Sequence, residues 1–147
     1  MKDDIEKWVM DVLSKPNKAF GNLPPCPYAK KAWIENKVTV KLFESFEYIN
    51  QNLSELKEVQ IYCFESIDRD DLSNIAKEYN KNYPNFLFLE EHPELIEEID
   101  GFTVNQGKWA MLIIQDRIKL ESTREKLRET SYYDNWSEEL KQRILLR

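Results

Sequence analysis

The chain has three glycines, two cysteines and one histidine among its 147 residues, and each scarcity removes a class of reading. Gly21, Gly101 and Gly107 stand too far apart for a phosphate-cradling loop, and neither a nucleophile elbow nor a paired His-Glu helix motif occurs. Cys26, Cys63 and His92 fall short of the four N or S ligands that structural zinc usually takes, so carboxylates would have to complete any metal set. No apolar run approaches the roughly 20 residues that span a bilayer. Met1–Lys7 is charged and has no apolar leader segment, so the expectation is a cytoplasmic protein with reduced thiols. Basic residues are in deficit, 21 against 27 acidic, for a net charge of −6. That field repels phosphate, and with no recognised binding motif the reading is no nucleic acid and no membrane.

What is present suits one folded unit. The composition is 41% hydrophobic and 12% aromatic without a low-complexity tract, enough for a single core over residues 1–147. The charge is unevenly spread. Residues 15–41 carry six lysines against one glutamate, whereas residues 44–116 hold five basic and sixteen acidic groups. A basic segment in an acidic chain points to an anionic small molecule or an acidic protein surface as partner.

Periodicity sets the fold class. Ile5, Trp8, Val9, Val12 and Leu13 form one helical stripe that ends before Pro16, with Asp3 and Asp4 at its positive end. Phe20 anchors the loop that follows, and a short helix is expected over Pro27–Asn36 with Tyr28, Ala32 and Trp33 inward. Val38–Phe43 reads as a half-buried strand. A helix capped by Ser45 comes next, sharing a face among Phe46, Ile49, Leu53 and Leu56. Val59–Phe64 is apolar on both faces, as a central strand is, and Asp68 caps a helix presenting Leu72, Ile75, Ala76 and Tyr79. Phe86–Leu89 makes a third strand, Pro93–Ile99 a short helix stopped by Gly101, and Trp109–Gln115 the fourth strand. Helices over Ile118–Thr130 and after Ser137 close the chain. The result is an α/β domain with an N-terminal helical extension and a four-stranded mixed sheet covered on both faces. A thioredoxin-like or a ferredoxin-like strand order is open, as is the direction of the fourth strand.

Two places carry candidate chemistry. Three of the six prolines bracket Cys26 within Pro24–Pro27, holding a thiol at a helix entrance. Unpaired N–H groups there favour thiolate and lower the pKa, and Lys30 and Lys31 add to the field. His92 follows a buried strand at the end of the sheet where α/β proteins commonly place ligands. With Cys26, Glu90, Glu91 and Asp100 it makes a candidate acid-base or metal-assisted site. A structural reading stands beside each: a small apolar side chain under a Pro-rich turn, and a histidine held by backbone hydrogen bonds. Cys63 reads as core.

The string Cys26-Pro27-Tyr28-Ala29-Lys30-Lys31-Ala32 resembles the active-site turn of glutaredoxins with the second cysteine replaced. That resemblance is local, because Cys26 precedes the first strand and Lys108 and Trp109, not a proline, stand before the fourth. A broader resemblance is to an uncharacterised bacterial family of small domains. It rests on the tryptophan of the first helix, here Trp8, a Leu-Cys-Pro-aromatic-Ala turn, here Leu23-Pro24-Pro25-Cys26-Pro27-Tyr28-Ala29, and a His-Pro segment, here His92-Pro93. The chain departs from it in lacking an Asn-Arg-Ser-Pro-Tyr-Pro segment after the His-Pro, and the family implies a fold without an activity or cofactor. The functional expectation is therefore a thiol-dependent or metal-assisted site, with Cys26 as thiolate, Lys30 as its electrostatic support and His92 as acid, base or ligand. The alternative is a non-catalytic protein-binding or accessory module.

Overall fold

A computed structural model describes residues 1–46, 53 and 57–147. Helix α1, Lys2–Trp8, runs on into a π-helical turn over Val9–Leu13, and its stripe buries Ile5, Trp8 and Val9 as the spacing predicts. Asn17 then accepts the Ala19 N–H at 2.9 Å and starts a 3₁₀ turn over Lys18–Phe20, which seats Phe20 in the interior. Gly21 ends that turn at φ 66°, and a Cβ there would stand 2.6 Å from Asn135 Cβ. Both the backbone angle and the close approach require glycine. Helix α2 covers Ala29–Ile34, shorter than the expected Pro27–Asn36 because Asn36 turns left-handed at φ 57° and Tyr28 makes no side-chain cap. Tyr28 is exposed rather than inward, while Trp33 packs half-buried against the core.

Strand β1, Val38–Phe43, pairs in parallel with β2, Val59–Phe64, from Val38↔Val59 to Phe43↔Phe64. The helix expected from Ser45 runs over residues 47–52 and 54–56, outside the described residues. Helix α3, Arg69–Asn82, begins at Asp68, whose carboxylate accepts the Asp70 N–H at 2.8 Å, and it buries Leu72, Ile75, Ala76 and Tyr79. This matches the cap and the stripe read from sequence. Strand β3, Phe86–Glu91, extends two residues past the expected run.

The next segment departs from expectation. Pro93–Ile99 is no helix: after a turn it leads into β4, Glu98–Ile99, which pairs antiparallel with β5, Phe102–Thr103. Asp100 at φ 48° and Gly101 at φ 79° close this hairpin. Two successive left-handed residues are what an Asp-Gly hairpin turn demands, so Gly101 bends a ribbon rather than stopping a helix. Ile96, which a helix would need for its apolar face, is 72% exposed.

Strand β6, Ala110–Asp116, then enters between β2 and β3, antiparallel to both. Helix α4, Arg117–Arg128, is capped by Asp116, and α5, Glu138–Leu145, by Ser137 through the Leu140 N–H at 3.1 Å. The four-stranded mixed sheet has the order β1-β2-β6-β3. Its parallel β1–β2 pair rules out a fully antiparallel ferredoxin-like sheet, and Cys26 lies ahead of the first strand instead of following one. Among the described residues no helix is long and apolar enough to cross a membrane.

Strand alternation sends side chains to two covered faces. On the α3 face Tyr62, Phe64, Phe88, Leu112 and Ile114 meet the buried stripe of α3. On the α1 face Ile61, Cys63, Met111 and Ile113 meet Ile5, Trp8 and Val9. A third cluster joins Phe20 to Tyr132, Tyr133, Trp136 and Leu140 and to Ile99 of the hairpin. It lies beyond the sheet and ties the first 20 residues to the last 20.

Candidate functional site

The Pro-rich turn is pinned from the far end of the chain. Tyr132 donates its hydroxyl to the carbonyls of Pro24 and Pro25, the latter at 3.2 Å, and the Cys26 N–H donates to Leu13 O at 2.9 Å. These bonds fix the turn around Cys26, which is half-buried, and burial pushes its thiol pKa up. The N–H groups of Tyr28 and Ala29 at the sulfur pull the other way, as the helix-entrance argument expects, but they are the smaller effect. Lys30 and Lys31 are exposed and do not act on the sulfur; Lys31 faces Glu35 at 3.8 Å. The expectation of a lowered thiol pKa with lysine support is therefore corrected: desolvation outweighs the helix entrance. Cys63 is fully buried in the α1-face core, its pKa pushed to about 12, and both cysteines are free.

His92 is buried, with both ring nitrogens engaged. Nδ1 accepts the Glu94 N–H at 3.2 Å while Nε2 lies 3.1 Å from Ile67 O, so a proton on Nε2 satisfies both contacts. It lines a hollow of about 390 Å³ at the ends of β2 and β3, together with Ser66, Lys108 and Trp109. Lys108 and the Trp109 indole both donate to Asp4, at 2.8 Å and 3.0 Å, and hold that carboxyl well below its usual range. Cys26 does not line this hollow. The two sequence-predicted residues thus belong to separate depressions, and Asp100 is exposed in the hairpin turn. Among the described residues no three His, Cys, Asp or Glu side chains gather as a metal set.

Cys26 instead borders a second, partly open cavity of about 350 Å³. Its floor is the α1 face of the sheet at Ile61, Leu87, Leu89 and Ile113. Trp8, Val9 and Leu13 form one wall, and Leu120, Thr123 and Leu127 of α4 with Ile144 and Leu145 of α5 form the other. The lining is mostly apolar, with charged side chains along its border of which Glu91 and Arg124 are buried. Arg124, 7% exposed, donates to Glu121 at 2.7 Å and to Ile144 O at 3.1 Å, tying α4 to α5. Glu91 accepts the Asn105 amide at 3.0 Å and the Gln106 N–H at 3.3 Å, both on Oε2. Burial raises its pKa, and Glu97 adds to that shift. Asn105 also accepts the Glu97 N–H, so one amide fastens the β4–β5 hairpin to the end of β3. Glu97 in turn receives Arg147 at 2.5 Å and Arg143 at 3.4 Å.

Of these residues the sequence reading names Cys26, Glu90 and Glu91 but not Asn105 or Arg124. The signal for Glu91 is parity, since it shares a strand face with Leu87 and Leu89. Arg124 stands four residues after Leu120 and three before Leu127, on the apolar stripe of α4. Comparison with protein-family models, with curated proteins and with solved structures returns no match for this chain.

Proposed function

We propose that this protein binds a small, largely apolar molecule between its sheet and helices α1, α4 and α5, without catalysing its conversion. The supporting observation is the cavity: about 350 Å³, lined mainly by aliphatic and aromatic side chains, with charged groups along its border. That is the size and lining of small-molecule sites in general. The thiol-dependent or metal-assisted reading has less behind it. A thiol whose pKa is raised is mostly un-ionised at neutral pH and a poor nucleophile, and the imidazole that would assist it borders another hollow.

Titration with the neutral fluorophore Nile red tests the proposal. Saturable one-to-one binding is expected, with blue-shifted emission, and Thr123→Phe should weaken it about tenfold or more by filling the space. Absence of saturable binding overturns it, as does unweakened binding by a Thr123→Phe variant that unfolds at the wild-type temperature.

A further inference from the structure

Resting on that reading, we infer that the ligand is a cationic amphiphile: a protonated amine with a short apolar tail, its ammonium group on Glu91 and its tail among the aliphatic residues of the cavity. Glu91 is 9% exposed, yet no Lys, Arg or His side chain forms an ion pair with it among the described residues. Arg147, whose charge acts on Glu91 without pairing to it, is engaged with Glu97, as is Arg143. A buried carboxyl without a cation is held toward its protonated form, and an ammonium group arriving beside it would favour the ionised one, so the position is open to a cation.

The second oxygen makes the case specific. Both hydrogen bonds to Glu91 fall on Oε2, and Oε1 takes none among the described residues. Nor is Oε1 sealed in: among the described residues the enclosed side-chain atoms without a partner are Ser14 Oγ and Trp136 Nε1. The residue lines the cavity, so a donor arriving there finds a half-satisfied carboxylate already oriented by Asn105 and Gln106. Charge around the space favours a cation as well. Of the charged groups bordering it, Glu58, Glu97, Arg124 and Arg147 are already in ion pairs, which leaves Glu90, Glu91 and Asp116 against Lys119 among the described residues. An anionic ligand, which the basic N-terminal segment suggests from sequence, would meet this acidic border.

The test is displacement of Nile red by three probes sharing one eight-carbon tail: octylammonium, octan-1-ol and octanoate. Octylammonium should compete about tenfold or more better than octanol, the difference expected of a desolvated charge-assisted hydrogen bond, with octanoate weakest. Glu91→Gln, which keeps an acceptor for Asn105, should bring the amine to the level of the alcohol; its thermal unfolding establishes that it is folded. Equal competition by amine and alcohol in the wild type overturns the ligand class and leaves the cavity reading standing, and so does an amine preference that survives Glu91→Gln. Failure of Nile red itself to bind removes the cavity reading and this inference together.

Discussion

The two faces of the sheet are built from the same strands and used differently. On the α3 face, rings fill the layer edge to face: Phe43 meets Tyr62 at 4.6 Å between centroids, and Tyr79 meets Phe88 at 5.4 Å. Polar groups there are answered internally, Tyr62 donating to Gln60 at 3.0 Å and Asn80 both donating to and accepting from the backbone of Phe88. The Asn80 amide acts as a mock neighbour for β3, an edge of the sheet, and blunts it against further pairing. On the α1 face the helices close over only part of the strands, and beyond Ile61 and Ile113 the layer opens into the cavity. No residue of the buried α3-face cluster lines that space. One face carries close packing and the other carries room, with a buried carboxylate left half-satisfied in the room.

Substitutions that strike one face and spare the other sharpen this contrast. Phe88→Ala, in the aromatic layer, should cost about 3–5 kcal/mol in denaturant unfolding while the folded fraction binds Nile red with wild-type affinity. Leu89→Ala, one residue on and half-buried over the cavity, should cost about 1–2 kcal/mol, because much of its surroundings is already open. Equal losses at the two positions would erase the distinction. Tyr132→Phe removes the hydroxyl that holds the Pro24 and Pro25 carbonyls and should cost about 1 kcal/mol, with faster alkylation of Cys26 as the turn loosens.

Two predictions concern ionisation. Glu91 has its pKa raised by burial and by Glu97, against smaller opposing effects of Asn105, Gln106 and Arg147. Folding therefore favours its protonated form. The contribution is fully present below the ordinary glutamate value and is lost as pH rises through the raised one. Glu91→Gln should accordingly narrow the gap in stability between mildly acidic and neutral pH, measured by denaturant midpoints. For Cys26, native alkylation across pH should reach half its limiting rate above the ordinary thiol value; half-maximal rate below it would restore the activated thiol.

How far the sequence anticipates this contrast depends on what each residue needs for its meaning. The four strands of the main sheet, α3, α4 and α5 are legible because alternation, stripe and cap are local: Asp68 and Ser137 each bond an N–H within three residues of themselves. Pro93–Ile99 misleads because a proline, a run of acids and a distant glycine imitate a short helix, whereas the Asp100-Gly101 pair decides for a hairpin. The thiol at Cys26 is misread for a different reason. Its helix entrance is local, but the burial that dominates comes with Tyr132 and the turn around it, more than 100 residues away. The cavity is less legible still, since it is a space between α1, α4, α5 and the sheet and no single segment encodes it. Of its parts the sequence reading names Glu91, while Arg124 carries a signal in its helix phase that the reading passes over.

Methyl NMR during titration with octan-1-ol addresses the contrast between the faces most directly. Saturable shifts at Ile61, Leu87, Leu89 and Ile113, with Leu72, Ile75, Leu112 and Ile114 little moved, are the predicted result. Shifts spread equally over both sets, or none that saturate, would contradict a ligand space confined to the α1 face.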